Sequence, residues 1–242
     1  MIDGGRVLAL ITARGGSKRV PRKNVLPFAG LPLIAWSVLA AKASRLVDRV
    51  VVSSDDPEII AEAVAHGCDA PFVRPAFLSG DEAGSVDVAL HALDVLEAEN
   101  DRYDWLMLLQ PTSPLRTAKD IDGSIEACVA AGAHSALGLT EPERSPYVMF
   151  TLGAAGSVVP LIEAGIDLQT ARSQDLPRAY AINGAVFLTR TDWLRANRAF
   201  YGPGTIPWIM PQERSVNIDT PWDFALGEWA AARLGLGREE GA

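Results

Sequence analysis

Short apolar runs alternate with longer Ala- and Leu-rich segments through the first half of the chain. The run at 7–12 is apolar without polar alternation, which is typical of a strand that is covered on both faces. We predict strands at 7–12, 49–54, 70–73 and 105–109. We predict helices at 33–44, 57–66 and 84–97, each between two of these strands. This alternation predicts an α/β fold with a three-layer, mostly parallel sheet.

The regular alternation stops between residues 141 and 180, where Pro, Gly and polar residues are frequent. We interpret 141–180 as an insertion in a single domain that spans residues 1–242. Beyond it, apolar runs predict strands at 185–188 and 215–218. Thr220 as N-cap and Pro221 in the first turn then predict a helix that ends at about residue 234.

The insertion also carries large apolar residues that one peripheral segment could not readily bury. They are Tyr147, Val148, Met149, Phe150, Val158, Val159, Leu161 and Ile162. A partner chain would cover them, so we predict a homodimer. The alternative is a lid that folds back on its own domain.

The charge balance excludes several classes of partner. Lys and Arg total 22 against 30 Asp and Glu, which gives a net charge of −8 and no generally basic surface for nucleic acid or an anionic membrane. No run reaches the ~18 apolar residues of a membrane helix, and the first apolar run does not have the flanks of a secretion signal. The two cysteines form no metal or disulfide pattern. We therefore predict a cytoplasmic protein.

A basic loop at 13–24 follows the first predicted strand, and we call it the phosphate loop. Its cations are Arg14, Lys18, Arg19, Arg22 and Lys23. Backbone N–H groups at Gly15, Gly16 and Ser17 can approach phosphate oxygens, so a nucleoside triphosphate is a natural ligand. The loop matches neither GxxxxGK[ST] nor GxGxxG. On composition alone, a solvated basic loop remains an equal alternative.

Two further polar segments end predicted strands. In parallel sheets, ligands bind beyond the carboxyl ends of the strands, so the loops at 13–24, 53–56 and 110–117 should converge. Gln110, Thr112 and Ser113 suit sugar or nucleobase contacts, although the segment taken alone is better explained as a strand exit with Pro-fixed turns. Asp219 precedes the last helix and suits a divalent cation, or a favourable charge at a helix N-terminus. The three histidines are scattered, and no Ser-His-Asp or Cys-His arrangement occurs.

Four motifs, in this order, carry a family resemblance. They are Thr12-Ala-Arg-Gly-Gly-Ser-Lys18 with Lys23-Asn24, Leu109-Gln-Pro-Thr-Ser-Pro-Leu-Arg116, Asn183-Gly-Ala185, and Ile218-Asp-Thr220 with Asp223-Phe224. Together they resemble the acylneuraminate cytidylyltransferases, the CMP-sialic acid synthetases. The resemblance implies a nucleotide-diphospho-sugar transferase-like fold with a small dimerisation insertion at 141–180, which reaches the sugar site of the neighbouring subunit, so that each active site of a homodimer borrows residues from the other chain. It also implies transfer of CMP from CTP to the anomeric hydroxyl of a nine-carbon keto-acid sugar, with Mg2+ as cofactor and pyrophosphate as the second product.

The resemblance also assigns roles to individual residues. The residues implied for the nucleotide are Arg14, Gly15, Gly16, Ser17, Lys23, Asn24 and Arg74, with Asn24 at the ribose and Arg74 on the cytosine side. Those implied for the sugar are Gln110, Thr112, Ser113 and Asn183. Asp219 and Asn217 are implied for the metal. Arg14, Lys23 and Asp219 are the candidate catalytic residues.

The chain departs from the family pattern at two positions. Asn217 stands where the first aspartate of the metal motif is expected, and its carbonyl oxygen can ligate a cation but supplies no charge. Ala181 stands where an arginine near the sugar is expected, so Arg144, Arg172 or Arg178 would take over a carboxylate contact.

These departures leave the acceptor open among N-acetylneuraminate, legionaminate-like and pseudaminate-like acids. A CMP-Kdo synthetase-like enzyme and a non-catalytic CTP-binding regulator are the two alternatives.

Overall fold

The computed structural model describes residues 5–163, 165–166, 170 and 172–236, and a six-stranded sheet forms its centre. The strands are β1 (Val7–Thr12), β2 (Pro27–Phe28), β3 (Leu31–Pro32), β4 (Arg49–Ser53), β5 (Trp105–Leu109), β6 (Ser135–Thr140), β7 (Phe150–Leu152), β8 (Val158–Pro160), β9 (Ala181–Arg190) and β10 (Ile206–Ile209). The α-helices are α1 (Leu33–Lys42), α2 (Pro57–Ala65), α3 (Ser85–Ala98), α4 (Ala118–Ala130), α5 (Thr191–Asn197) and α6 (Pro221–Arg233). No helix among these is long and apolar enough to cross a membrane.

The central sheet has the strand order β10-β6-β9-β5-β1-β4. The pairs β1–β4, β1–β5 and β6–β10 are parallel, and β9 is antiparallel to both of its neighbours. This arrangement confirms the predicted mostly parallel sheet. Because β9 runs in the opposite direction, its first residues lie at the same edge as the carboxyl ends of β1 and β5.

Apolar side chains on both faces of the sheet make the fold three-layered. In β1, Val7, Ala9 and Ile11 pack with α1, α2 and α4, whereas Leu8 and Leu10 pack with α3 and α5. All of these strand residues are fully buried, as expected for an apolar run without alternation.

Two predicted strands are wrong. Residues 70–73 form no strand, and only an isolated bridge joins Asp69 to Val51. Pro71 has no N–H to donate to a ladder, which explains the short pairing. Residues 215–218 are irregular as well, although the Ile218 N–H donates to the Thr112 carbonyl at 2.7 Å.

The other predicted elements are present and differ only in their bounds. The predicted strand at 185–188 is the central part of the ten-residue β9, and the predicted helix at 33–44 ends at Lys42. The last helix begins as predicted: Thr220 accepts a hydrogen bond from the Asp223 N–H, and the Asp223 carboxylate accepts from the Thr220 N–H in return. This capping box fixes the backbone next to Asp219.

The 141–180 segment contains the β7–β8 hairpin, and residues 164, 167–169 and 171 of it lie outside the described residues. Most of its large apolar side chains are exposed in the described chain, although Tyr147 is half-buried. Phe150 is 51% exposed and Val158 is 69% exposed. A dimerisation role for this segment stays a prediction.

A partly exposed ion cluster joins the amino ends of β1, β4 and β5. The Asp101 carboxylate accepts hydrogen bonds from Arg6 at 2.7 Å, Arg49 at 2.7 Å and the Tyr103 hydroxyl at 2.6 Å. Burial acts to raise the pKa of Asp101, but these hydrogen bonds prevail and lower it to about 2.

We expect Asp101→Asn to lower the free energy of unfolding by roughly 1–2 kcal/mol at pH 7. Because the pKa of Asp101 is lower in the folded than in the unfolded protein, its ionised carboxylate stabilises the fold at pH values above the unfolded pKa of about 3.9. This stabilisation is lost as the pH falls toward 2. Urea unfolding at pH 7, 5 and 3.5 should therefore show a difference between variant and wild type that narrows on acidification. A difference that stays constant over this range would contradict the assignment.

Candidate active site

A cleft of about 540 Å3 lies at the carboxyl edge of β1 and β5. Its lining residues are Thr12, Ala13, Arg14, Ser17, Lys18, Arg19, Lys23, Asn24, Gln110, Pro111, Thr112, Asn217 and Asp219. The loops at 13–24 and 110–117 therefore converge as predicted. The loop at 53–56 borders the same edge, because Asp55 accepts a hydrogen bond from the Gly15 N–H at 3.2 Å.

Cations of the phosphate loop line this cleft together. Arg14, Lys18, Arg19 and Lys23 contribute to its wall, whereas Arg22 pairs with Glu58 on α2. Four cations around one concave surface create a positive field that a solvated charge run would not focus. The geometry favours the phosphate-binding hypothesis over the solvated-loop alternative.

Lys23 and Asp219 form an ion pair inside the cleft. The Lys23 Nζ lies 3.2 Å from Asp219 Oδ1 and also donates to the Ile218 carbonyl. Lys23 is only 8% exposed. Burial lowers the pKa of Lys23 below its ordinary value, and the neighbouring Asp219 carboxylate opposes that change.

The Asn217 side chain contacts the other oxygen of the same carboxylate. Its Nδ2 donates to Asp219 Oδ2 at 2.9 Å. Among the described residues, no group of three or more His, Cys, Asp or Glu side chains could hold a metal ion. One carboxylate and one amide fit a magnesium ion that is held jointly with substrate phosphates, which is the usual mode for Mg2+. They do not form a complete site from protein groups alone.

The glycines of the phosphate loop differ in their surroundings. A Cβ at residue 15 would lie 2.6 Å from Asp56 Oδ2, so only glycine fits there without a shift. A Cβ at residue 16 would meet no atom within 4 Å. The Ser17 N–H donates to the Gly15 carbonyl at 2.9 Å, and the buried Asn24 amide donates to the Arg14 carbonyl at 3.2 Å. Asn24 thus holds the loop shape while it also lines the cleft.

The 110–117 loop divides its residues between the cleft and the interior. Gln110 and Thr112 line the cleft, but the Ser113 side chain is buried and donates to the Asn183 carbonyl at 2.8 Å. Gly184 has φ +73, and a Cβ there would lie 2.8 Å from both Gln110 Oε1 and Ser113 Oγ. This glycine lets β9 approach the loop closely.

Asn183 and Arg74 are buried beside the cleft, and neither lines it. Asn183 Nδ2 donates to Ser215 Oγ at 3.1 Å, and its Oδ1 accepts from the Ala185 N–H. Arg74 donates to Ser53 Oγ at 3.0 Å and to the carbonyls of Ser53 and Ala13. Burial lowers the pKa of Arg74 to about 10. Both side chains connect strand ends, and their ligand contacts stay predictions.

Sequence reasoning missed two residues that act on this site. Arg116 is fully enclosed, and its guanidinium donates to the carbonyls of Gln110 and Ala185 and to Ser37 Oγ. It therefore joins the 110–117 loop to β9 and α1. Asp81 contacts Arg14 and Lys18. Nothing in the local sequence of Asp81 signals this contact, because the residues are more than 60 positions apart.

Comparison with known proteins identifies the chain as a nucleotidyltransferase. The cytidylyltransferase family model matches residues 8–157, and the chain is 37% identical to pseudaminic acid cytidylyltransferase from Campylobacter jejuni over 91% of this chain and 94% of that protein. It is 32% identical to CMP-N,N'-diacetyllegionaminic acid synthase from Legionella pneumophila over 92% and 95% of the two chains. The chain belongs to the cytidylyltransferase family.

A solved structure supports the fold assignment. The CMP:2-keto-3-deoxy-manno-octonic acid synthetase complexed with CTP superimposes with a TM-score of 0.67 over 95% of this chain and 99% of that chain. Its sequence identity is 18%, so the likeness concerns the fold. The predicted nucleotidyltransferase architecture is confirmed.

Proposed function

We propose that this chain transfers CMP from CTP to the anomeric hydroxyl of a nonulosonic acid and releases pyrophosphate. The observation that carries the proposal is the convergence of Arg14, Lys18, Arg19 and Lys23 on one cleft that also contains the Asp219 carboxylate. Relatives that cover more than nine-tenths of the chain are named for CMP transfer to such acids, which supports the choice of substrates.

The proposed reaction is an in-line displacement at the α-phosphorus of CTP. The acceptor oxygen forms a bond to the α-phosphorus, and the bond from that phosphorus to the bridging oxygen breaks, so the electron pair leaves with pyrophosphate. The acceptor proton passes to solvent. Arg14 and Lys23 would hold the leaving phosphates, so positioning and charge neutralisation supply most of the catalysis.

Magnesium is part of this proposal. Asp219 and the Asn217 side-chain oxygen would hold the ion together with phosphate oxygens of CTP. When bound, the ion neutralises phosphate charge and acidifies the acceptor hydroxyl. Asn217 would have to turn its oxygen toward the ion, because its Nδ2 faces Asp219 here.

We expect Asn217→Asp to tighten binding of divalent cations by about tenfold, because a second carboxylate joins Asp219. Calorimetric titration of Mn2+ into the protein with a non-hydrolysable CTP analogue measures this directly. Asp192→Asn is the matched control, since Asp192 pairs with Arg190 away from the cleft. Unchanged or weaker binding in Asn217→Asp would place residue 217 outside the coordination sphere.

The insertion offers candidate contacts for the acceptor carboxylate. A second groove of about 700 Å3 is lined by Arg144 and Arg178 together with Glu141 and Glu143. Arg172 is exposed nearby in sequence. A guanidinium pairs bidentately with a carboxylate. Arg144 or Arg178 can therefore make the contact of the arginine that the family pattern has at the position of Ala181.

Turnover with a panel of acceptors tests the substrate class. We expect CMP-sugar formation with at least one of pseudaminic, legionaminic and N-acetylneuraminic acid, and much weaker turnover with the eight-carbon acid Kdo. Preferred use of Kdo would favour the CMP-Kdo alternative, for which the structural likeness supports the fold alone. Tight CTP binding without turnover of any acid would favour the non-catalytic regulator.

We further propose a homodimer that uses the 141–180 segment. Light scattering should give a mass near twice the 25.8 kDa of one chain. Phe150→Asp should lower this mass to that of one chain, because a carboxylate would enter an apolar interface. Phe77→Asp is the control, since Phe77 is also exposed but lies outside the segment. A wild-type protein with the mass of one chain and full activity would contradict the proposal.

A cytoplasmic location stays a prediction.

A further inference from the structure

Asp81 lies between the short 3-10 turn Ala76–Leu78 and α3, and its carboxylate contacts two cations of the phosphate loop. Arg14 Nη1 lies 2.9 Å from Asp81 Oδ1, and Lys18 Nζ contacts Asp81 Oδ2. The same Arg14 nitrogen donates to the Gly80 carbonyl at 2.9 Å. One loop therefore supplies three oxygen acceptors to two of the cations that are proposed to bind phosphate.

The chemistry of this contact resembles that of a bound phosphate. Two oxygens of one anion accept from a guanidinium and an ammonium, as two phosphate oxygens would. Hydrogen bonding from Lys18 and its charge lower the pKa of Asp81 below its ordinary value, so the carboxylate remains ionised near neutral pH. Asp81 and a substrate phosphate cannot both use these donors fully.

The loop that carries Asp81 has space in which to move. A cavity of about 940 Å3, which shares no lining residue with the cleft, is lined by Gly80, Asp81 and Glu82 together with residues of α3 and α5. A Cβ at residue 80 would meet no atom within 4 Å, so space is open on that side of the backbone. The ion pairs with Arg14 and Lys18 are exposed and can exchange partners at low cost.

We propose that Asp81 is an internal anion that competes with substrate phosphate for Arg14 and Lys18 and thereby sets the phosphate affinity of the cleft. The carboxylate withdraws when the triphosphate binds, and it returns to the two cations as pyrophosphate leaves. The identity of the ligand rests on the proposed function, whereas the competition itself concerns any polyphosphate.

Calorimetric titration of inorganic tripolyphosphate into three proteins tests the proposal. We expect Asp81→Asn to bind tripolyphosphate about three- to tenfold more tightly than wild type, because two exposed ion pairs no longer compete. Glu82→Gln is the matched control: it removes the same charge one residue away, from a side chain that has no ion pair in the described part of the chain. We expect it to bind within about twofold of wild type.

A second comparison tests whether the effect passes through the two cations. In an Arg14→Ala/Lys18→Ala background, adding Asp81→Asn should no longer tighten binding. Unchanged or weaker binding by Asp81→Asn, an equal gain in Glu82→Gln, or a gain that persists without the two cations would overturn the proposal. If the wild-type protein binds tripolyphosphate but not CTP, the proposed function is refuted. The competition by Asp81 is still tested in that case, because the comparison with Asp81→Asn uses tripolyphosphate and not CTP.

Discussion

Asp219→Asn should lower turnover by at least about a hundredfold, which corresponds to roughly 2.7 kcal/mol of transition-state stabilisation. Asp219 is the only carboxylate among the described residues that line the cleft. Asparagine has nearly the same shape, so the variant removes the charge that would hold the magnesium ion and leaves the backbone geometry intact. Initial rates of pyrophosphate release at saturating CTP and acceptor measure the effect.

The stability of Asp219→Asn and a control variant show whether a loss of turnover comes from the missing carboxylate. The Asp219 backbone N–H is held by the Asp223 carboxylate, so the local backbone should be retained, but the buried Lys23 loses its carboxylate partner and the melting temperature should fall. Asp192→Asn serves as a control for a surface carboxylate. If Asp219→Asn retained more than a tenth of wild-type turnover at low magnesium, this carboxylate would have no essential role in the reaction.

Arg14→Ala and Lys23→Ala should each lower kcat/KM for CTP by at least about tenfold, because each removes a charge-assisted contact worth roughly 1.5–3 kcal/mol. Arg22→Ala is the matched control from the same loop, since its side chain pairs with Glu58. We expect Arg22→Ala to retain activity within about twofold. Wild-type kcat/KM in both cleft variants would show that the loop does not bind phosphate.

The two substitutions should differ in their effect on stability. Arg14 is partly exposed and its partner Asp81 is exposed, so its removal leaves no buried charge behind. Lys23 is buried against Asp219 and the Ile218 carbonyl, and its removal leaves the carbonyl without this donor and Asp219 without its buried cation. We expect a lower melting temperature for Lys23→Ala and an unchanged one for Arg14→Ala, as judged by thermal unfolding.

The sequence was most informative where one local rule determines one element. The apolar run of β1 predicted a strand buried on both faces, and the Thr220, Pro221 and Asp223 pattern predicted the start of α6. Both signals depend only on neighbouring residues. The strand at 70–73 was predicted wrongly because its apolar character outweighed the missing donor at Pro71.

The direction of β9 and the presence of β6, β10 and α5 could not be predicted in the same way. Strand pairing between residues such as Leu137 and Phe187 is a long-range property, and the sequence around 135–140 contains a glycine that weakens the strand pattern. The insertion also breaks the regular alternation on which the first half was predicted.

The sequence predicted which residues lie at the candidate site better than it predicted the contacts that these residues make. The motif resemblance brought Arg14, Lys23, Gln110 and Asp219 together, and the structure places all four around one cleft. It did not show that the Asn183 side chain is used by internal hydrogen bonds. Such a role depends on which side chains meet after folding, and a single sequence does not contain that information.

The most direct test of the account is pyrophosphate release with purified protein, CTP, magnesium and each of three nonulosonic acids: pseudaminic, legionaminic and N-acetylneuraminic acid. Mass spectrometry of the same mixtures identifies the CMP-linked product. We expect equimolar pyrophosphate and CMP-sugar with at least one acid, no release when CTP or the acid is omitted, and much slower release when UTP replaces CTP. Release of pyrophosphate that does not depend on the acid, or no product with any of the three acids, would contradict the account.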